Sequence, residues 1–193
     1  MDNARLVIPN LVTSANIAAG FLSICAAAEG RFEVAVYLLV AAVLLDTLDG
    51  PVARKLDATS KFGQEMDSFS DALSFGAAPA LLVYWAVLEP LGWMGLATSI
   101  LYLLAGVFRL ARFNLTSSVH EKSGRTIGFP TPIGAGYLMA VALMRDYLSP
   151  TSASVIVLVM AALMISRFAL PEIKGRGPAS YAIMIGIVNY FAV

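Results

Sequence analysis

Four aspartates, Asp46, Asp49, Asp67 and Asp71, stand out in a chain that otherwise avoids charge. Asp46 and Asp49 are three apart, and Asp67 and Asp71 four apart, so each pair falls on one face of a helix. Carboxylates at the ends of apolar segments are costly, and their default explanation is a functional site. Two faces with two carboxylates each can converge. Four such groups in a partly dehydrated place repel one another unless protons or cations are taken up. Hard oxygen donors, with no His or Cys between them, select Mg²⁺, Mn²⁺ or Ca²⁺. A pair of divalent cations is the economical answer, and two ions can clamp both sides of a phosphoryl displacement.

The residues between the pairs suit phosphate chemistry. Gly50, Ala53 and Gly63 are small and let a bulky ligand approach the helix backbone closely. Arg54 offers a fixed fork of donors for phosphate oxygens, against the plainer role of an arginine snorkelling at an interface. Pro51 removes one backbone donor and bends the helix where a polar cavity satisfies the freed carbonyl. Helix-end carboxylates that are merely solvated would leave these spacings unexplained.

The elements that must position these groups are membrane helices. The chain has 193 residues, 59% hydrophobic and 13% charged, about half the charged fraction of an ordinary soluble domain, and its mean hydropathy is +0.77. Thirteen basic and 13 acidic residues cancel, so no basic excess points to a nucleic-acid partner. The single cysteine, Cys25, excludes an internal disulfide and reads as a packing residue. Six stretches, 8–28, 33–53, 65–88, 92–113, 132–148 and 152–170, are apolar enough to cross a bilayer, and 178–193 is a possible short seventh. The first is too long for a cleavable signal peptide and many more follow. The reading is all-α: a polytopic helical bundle forming one membrane domain over 1–193. All the basic residues except Arg31 and Arg145 fall on one side, which makes the N-terminus and the aspartates cytoplasmic.

Asp46, Asp49, Gly50, Ala53, Arg54, Gly63, Asp67 and Asp71 together spell D-x2-D-G-x2-A-R-x8-G-x3-D-x3-D. This resembles the signature of the CDP-alcohol phosphotransferases, matching it at all eight positions, and that family's six-helix core fits the spans above. The resemblance implies transfer of a phospho-alcohol group from a CDP-alcohol to a hydroxyl, with CMP leaving. It implies two divalent cations, Mg²⁺ or Mn²⁺ with Ca²⁺ a further option, Asp46, Asp49 and Asp67 as principal metal ligands, and Asp71 as a base that also approaches a metal. Gly50, Ala53, Arg54 and Gly63 then belong to the CDP-lipid site. Asn16, three residues after Thr13 in the first span, joins them or hydrogen-bonds a neighbouring helix.

Three further stretches resemble the membrane-type phosphatidylserine synthases: SFSDALSFGAAPA at Ser68 to Ala80, RLARFN at Arg109 to Asn114, and GFPTP at Gly128 to Pro132. They imply CDP-diacylglycerol and L-serine as substrates in the cell membrane, a homodimer, and an acceptor region over 109–132. A serine carboxylate needs a cationic partner, which Arg109 or Arg112 supplies unless both merely anchor the helix end, and Asn114 could take the ammonium or hydroxyl. Glycerol-3-phosphate or an inositol phosphate is the alternative acceptor, and a phosphorylated acceptor would call for a further basic cluster. A cation transporter is the competing class, but it would place its carboxylates near the bilayer midplane rather than at helix ends. Relatives of this type often continue through a complete final helix pair, whereas the last apolar run here is short. His120, beside Glu121 and Lys122, reads as solvated in a loop, and Trp85 and Trp93 as markers of the outer interface.

Overall fold

A computed structural model describes residues 3–123, 125–127, 129–166 and 169–171. Helix α1 (Asn3–Ala28) is followed after a short turn by α2 (Phe32–Lys55). Gly30 makes that turn: with φ at 74°, it lets its N–H reach the Ala27 carbonyl at 3.0 Å while the Arg31 N–H reaches Ala26 at 2.9 Å. This paired closure satisfies carbonyls that the end of α1 would otherwise leave open, and it needs a left-handed residue that only glycine adopts at no steric cost. The two helices pack through small residues, Ala26, Ala27, Ala35 and Ala42, all buried.

The third rod runs without a break from Lys61 to Leu91 but changes pitch along its length. It comprises α3 (Lys61–Asp71), a π-helical stretch at Ala72–Ala77, α4 (Ala78–Val83), a second π-helical stretch at Tyr84–Leu88, and a 3₁₀ turn at Glu89–Leu91. Pro79 has no N–H for the carbonyl of Phe75, four residues back. The Tyr102 hydroxyl donates to that carbonyl instead, at 3.3 Å. The Ser74 hydroxyl, on the same wide turn, donates to the Asn16 carbonyl at 3.2 Å and so ties the rod to α1.

Helix α5 (Trp93–Ser123) continues past the expected end of its span. The stretch Asn114 to Ser123 falls in the connection expected between the spans 92–113 and 132–148, but it holds neither Gly nor Pro, so nothing in it stops the helix. His120 therefore lies on α5. A ribbon of two short antiparallel strands, β1 (Arg125–Ile127) and β2 (Ala169–Pro171), pairs Thr126 with Leu170, the one departure from helix among the described elements. Helices α6 (Thr131–Leu143) and α7 (Pro150–Ile165) are shorter than the spans expected for them, and the possible seventh at 178–193 lies outside the described residues.

Gly134 sets the packing of α6, since a Cβ there would run into the tip of Met164 on α7 and lie 3.1 Å from the Tyr102 hydroxyl on α5. The core gathers Leu39, Leu82, Tyr102, Leu138, Met139 and Met164, all fully buried. Among the described residues three stretches, Val7–Ala28, Lys61–Leu91 and Trp93–Leu115, are long and apolar enough to cross a membrane, and α6 and α7 are shorter apolar helices. Large apolar side chains such as Phe21, Tyr37, Phe108 and Val155 point outward, as they do where lipid is the solvent. Cys25 also faces outward rather than packing inside.

Candidate active site

The aspartates converge from the C-terminal halves of α2 and α3. Ser60 caps α3, its hydroxyl accepting from the Gly63 N–H at 3.0 Å, which fixes where the helix begins and so where Asp67 points. Gly63 brings this first turn close to α1: a Cβ there would stand 3.6 Å from Oδ1 of Asn10. Asp46, Asp49 and Asp67 each offer one oxygen to a common point, the three lying within 4.8 Å of one another. Asp71, one turn beyond Asp67, lies beside the Asp46 side chain, and its Oδ1 is buried with no hydrogen-bond partner. Asp49 is buried, at 8% exposure, and Thr13 on α1 shares its hydroxyl proton between the Pro9 carbonyl and Asp49 Oδ2, each at 3.2 Å.

A cation fits this donor set. Three carboxylate oxygens close enough to share one ion, with no lysine or arginine among the described residues paired to them, supply the hard ligands that Mg²⁺ or Mn²⁺ takes. The orphaned Asp71 oxygen beside them is a buried acceptor in want of a proton or a positive charge.

Beside the carboxylates lies a cavity of about 190 Å³, with Asp49 and Asp67 at one wall. Gly50, Ala53, Arg54 and Gly63, the residues expected at the CDP-lipid site, all line it. The Arg54 guanidinium folds back over Gly50, 3.4 Å from where a Cβ would stand. Asn16 does not line the cavity. It is fully buried deeper along α1, with neither side-chain amide atom partnered. Thr13, Asn10, Ser60 and Gln64 do line it and were not singled out in the sequence. A threonine one turn short of Asn16 on an apolar helix was the available sign.

The acceptor-region residues separate into different environments. Arg109 is buried on α5; its Nη1 donates to Thr131 Oγ1 at 2.8 Å, Nε has no partner, and it feels the opposite charge of Asp71. Arg112 grips the end of α7, donating from Nη1 to the Ile165 carbonyl at 2.9 Å and from Nη2 to those of Met164 and Ser166 at 3.2 Å. Asn114 donates to Ser68 Oγ at 2.9 Å, and Ser68 in turn donates to the Gln64 carbonyl at 3.0 Å.

Two helices that bring three carboxylates together beside a cavity, with a fourth one turn further on, define a class. The chain belongs to the CDP-alcohol phosphatidyltransferase family, whose profile matches residues 6–173. It is 35% identical over 178 residues to the CDP-diacylglycerol–serine O-phosphatidyltransferase of Helicobacter pylori, covering 89% of this chain and 75% of that protein. It is 36% identical over 178 residues to the archaetidylserine synthase of Methanothermobacter thermautotrophicus, covering 91% and 74%. The serine O-phosphatidyltransferase of Bacillus subtilis is 32% identical over 167 residues, covering 86% and 91%.

Proposed function

We propose that this chain transfers the phosphatidyl group of CDP-diacylglycerol to the hydroxyl of L-serine, giving phosphatidylserine and CMP. The observation that carries the reading is the convergence of Asp46, Asp49 and Asp67, of which Asp49 and Asp67 line the same cavity as Gly50, Ala53, Arg54 and Gly63. The relatives agree on serine in their names while differing in the lipid, which favours serine over glycerol-3-phosphate or an inositol phosphate.

In this reading Asp46, Asp49 and Asp67 hold divalent cations, Mg²⁺ or Mn²⁺, with Asp71 at the edge of the site. Bound there, two cations supply charge stabilisation to the diphosphate and to the departing CMP. Arg54 and the bare backbone at Gly50 receive the diphosphate and nucleotide, and Thr13 holds Asp49 in orientation. Asp71 takes the serine hydroxyl proton at Oδ1 as the serine oxygen bonds to the β-phosphorus of the diphosphate, the one that carries the lipid, and the bond from that phosphorus to CMP breaks. Arg109 meets the serine carboxylate, because Arg112 is occupied by three carbonyls, and Asn114 orients Ser68 at the rim.

Six helices crossing the cell membrane as one catalytic domain, with the N-terminus and aspartates on the cytoplasmic side, accord with the one-sided basic residues. A homodimer, usual among the proteins the chain resembles, completes the reading. Purified protein given labelled CDP-diacylglycerol and a panel of acceptors tests it. CMP release that depends on L-serine is the expected result, and release only with glycerol-3-phosphate or an inositol phosphate overturns the acceptor.

A further inference from the structure

Arg109 is the only arginine or lysine buried among the described residues, at 8% exposure. A guanidinium has five N–H donors and no acceptor, and taking one out of water is tolerated only where its donors are used. Here one contact holds it, from Nη1 to Thr131 Oγ1, and Nε is buried and unpartnered. The charge of Asp71 acts on it favourably and that of Arg112 unfavourably, and no hydrogen bond joins Arg109 to Asp71. The remaining fork suits a planar carboxylate, which takes two parallel N–H bonds.

The residue that holds Arg109 lies on α6. Thr131 is fully buried in the first turn of α6, between Pro130 and Pro132. Both rings restrict the backbone there: Pro130 has its own φ fixed, and Pro132 constrains the residue before it. Its methyl lies against α5 at Gly106, 3.6 Å from where a Cβ would stand, and a β-branched side chain has few rotamers to choose from. The hydroxyl oxygen is thus a fixed acceptor aimed at a guanidinium on another helix.

We propose that Thr131 is a positioning residue for the acceptor: its hydroxyl holds the Arg109 guanidinium apart from Asp71, with the free N–H groups presented to the acceptor's carboxylate. This rests on the reading of L-serine as acceptor and adds to it a residue that touches no substrate. Without the hydroxyl, Arg109 turns to the opposing charge, which both withdraws the carboxylate's partner and occupies the proton acceptor.

Thr131→Val keeps the shape and the branch and removes only the hydroxyl, and Thr131→Ser keeps the hydroxyl and removes only the methyl. Serine-dependent CMP release is measured for both at saturating Mn²⁺ or Mg²⁺, with thermal unfolding alongside. The expected result is a KM for serine raised about tenfold or more in Thr131→Val, the range for a lost hydrogen bond to a charged group. The KM for CDP-diacylglycerol should stay as in the wild type, and Thr131→Ser should return the serine KM to within about twofold. A purely structural threonine would lower the unfolding temperature and leave the ratio of the two KM values unchanged, and that outcome overturns the proposal. So does a Thr131→Ser variant as impaired for serine as Thr131→Val. If Thr131→Val cannot be purified folded, Thr131→Ala carries the same comparison. A wild-type protein that releases no CMP with serine refutes the acceptor reading itself, whereas a serine-active wild type with an unaltered Thr131→Val refutes only the role of Thr131.

Discussion

Replacing Arg112 with alanine separates what the sequence suggests from what the structure shows. From the RLARFN stretch alone, Arg112 and Arg109 are equal candidates for the acceptor carboxylate. In the fold, Arg112 closes the C-terminal end of α7 through the Met164, Ile165 and Ser166 carbonyls, three of the groups a helix end leaves unsatisfied. Each hydrogen bond from a charged donor contributes roughly 1.5–3 kcal/mol when well formed. Partial exposure and the sharing of Nη2 between two carbonyls reduce the sum to about 1–2 kcal/mol. For a chain of this size that is a fall in Tm of about 2–8 °C. Thermal unfolding of the purified variant in detergent, followed by serine and CDP-lipid titrations on the surviving folded fraction, checks the expectation. Arg112→Ala should unfold earlier, with the two KM values moving together, and Arg112→Lys should recover part of the stability because it keeps the charge but not the fork. An unchanged Tm with a serine KM raised several-fold would refute the reasoning and return Arg112 to the acceptor.

Asp46→Asn, Asp49→Asn and Asp67→Asn should each abolish most CMP release and require higher Mg²⁺ or Mn²⁺ for what remains, seen in metal titrations of activity, because each loses a charged oxygen of the shared set. Asp71→Asn should bind a CDP-lipid analogue in calorimetry yet fall roughly 10²–10⁴-fold in turnover, since the amide keeps the shape but takes no proton. Loss of binding would make Asp71 chiefly a ligand. Gly20→Ala should destabilise the protein by about 1–3 kcal/mol in unfolding measurements, because the added methyl has Ser74 Cα at 3.1 Å and its hydroxyl closer still.

The aspartates were legible because their spacing is a property of single helices: three and four residues apart mean one face wherever the helix lies. The small residues and Arg54 were legible for the same reason, and they line the cleft together. What the sequence could not convey depends on which helix lies across the way. Asn16 and Thr13 are one turn apart on α1, and only the packing of α1 against α2 decides that Thr13 reaches Asp49 while Asn16 passes below the cavity. Arg109 and Arg112, also three apart, meet α6 and α7 respectively. The first pitch change in the third rod, at Ala72–Ala77, goes with Pro79 and with a tyrosine on another helix, and periodicity within the rod does not reveal the second of these.

The uninterrupted apolar part of α2 runs only from Val34 to Leu45, between Glu33, which is ion-paired to Arg145 at 2.8 Å, and Asp46. At 1.5 Å per residue that is roughly 18 Å of helix, well short of the roughly 30 Å of hydrocarbon in a typical bilayer. On the six-span reading, this mismatch thins the membrane locally or brings water into it, and either way the surface dips at α2. A lipid diphosphate would then reach the carboxylates by drifting sideways into the dip, with its chains still among their neighbours, and the rate of that arrival would depend on bilayer thickness as well as on substrate concentration.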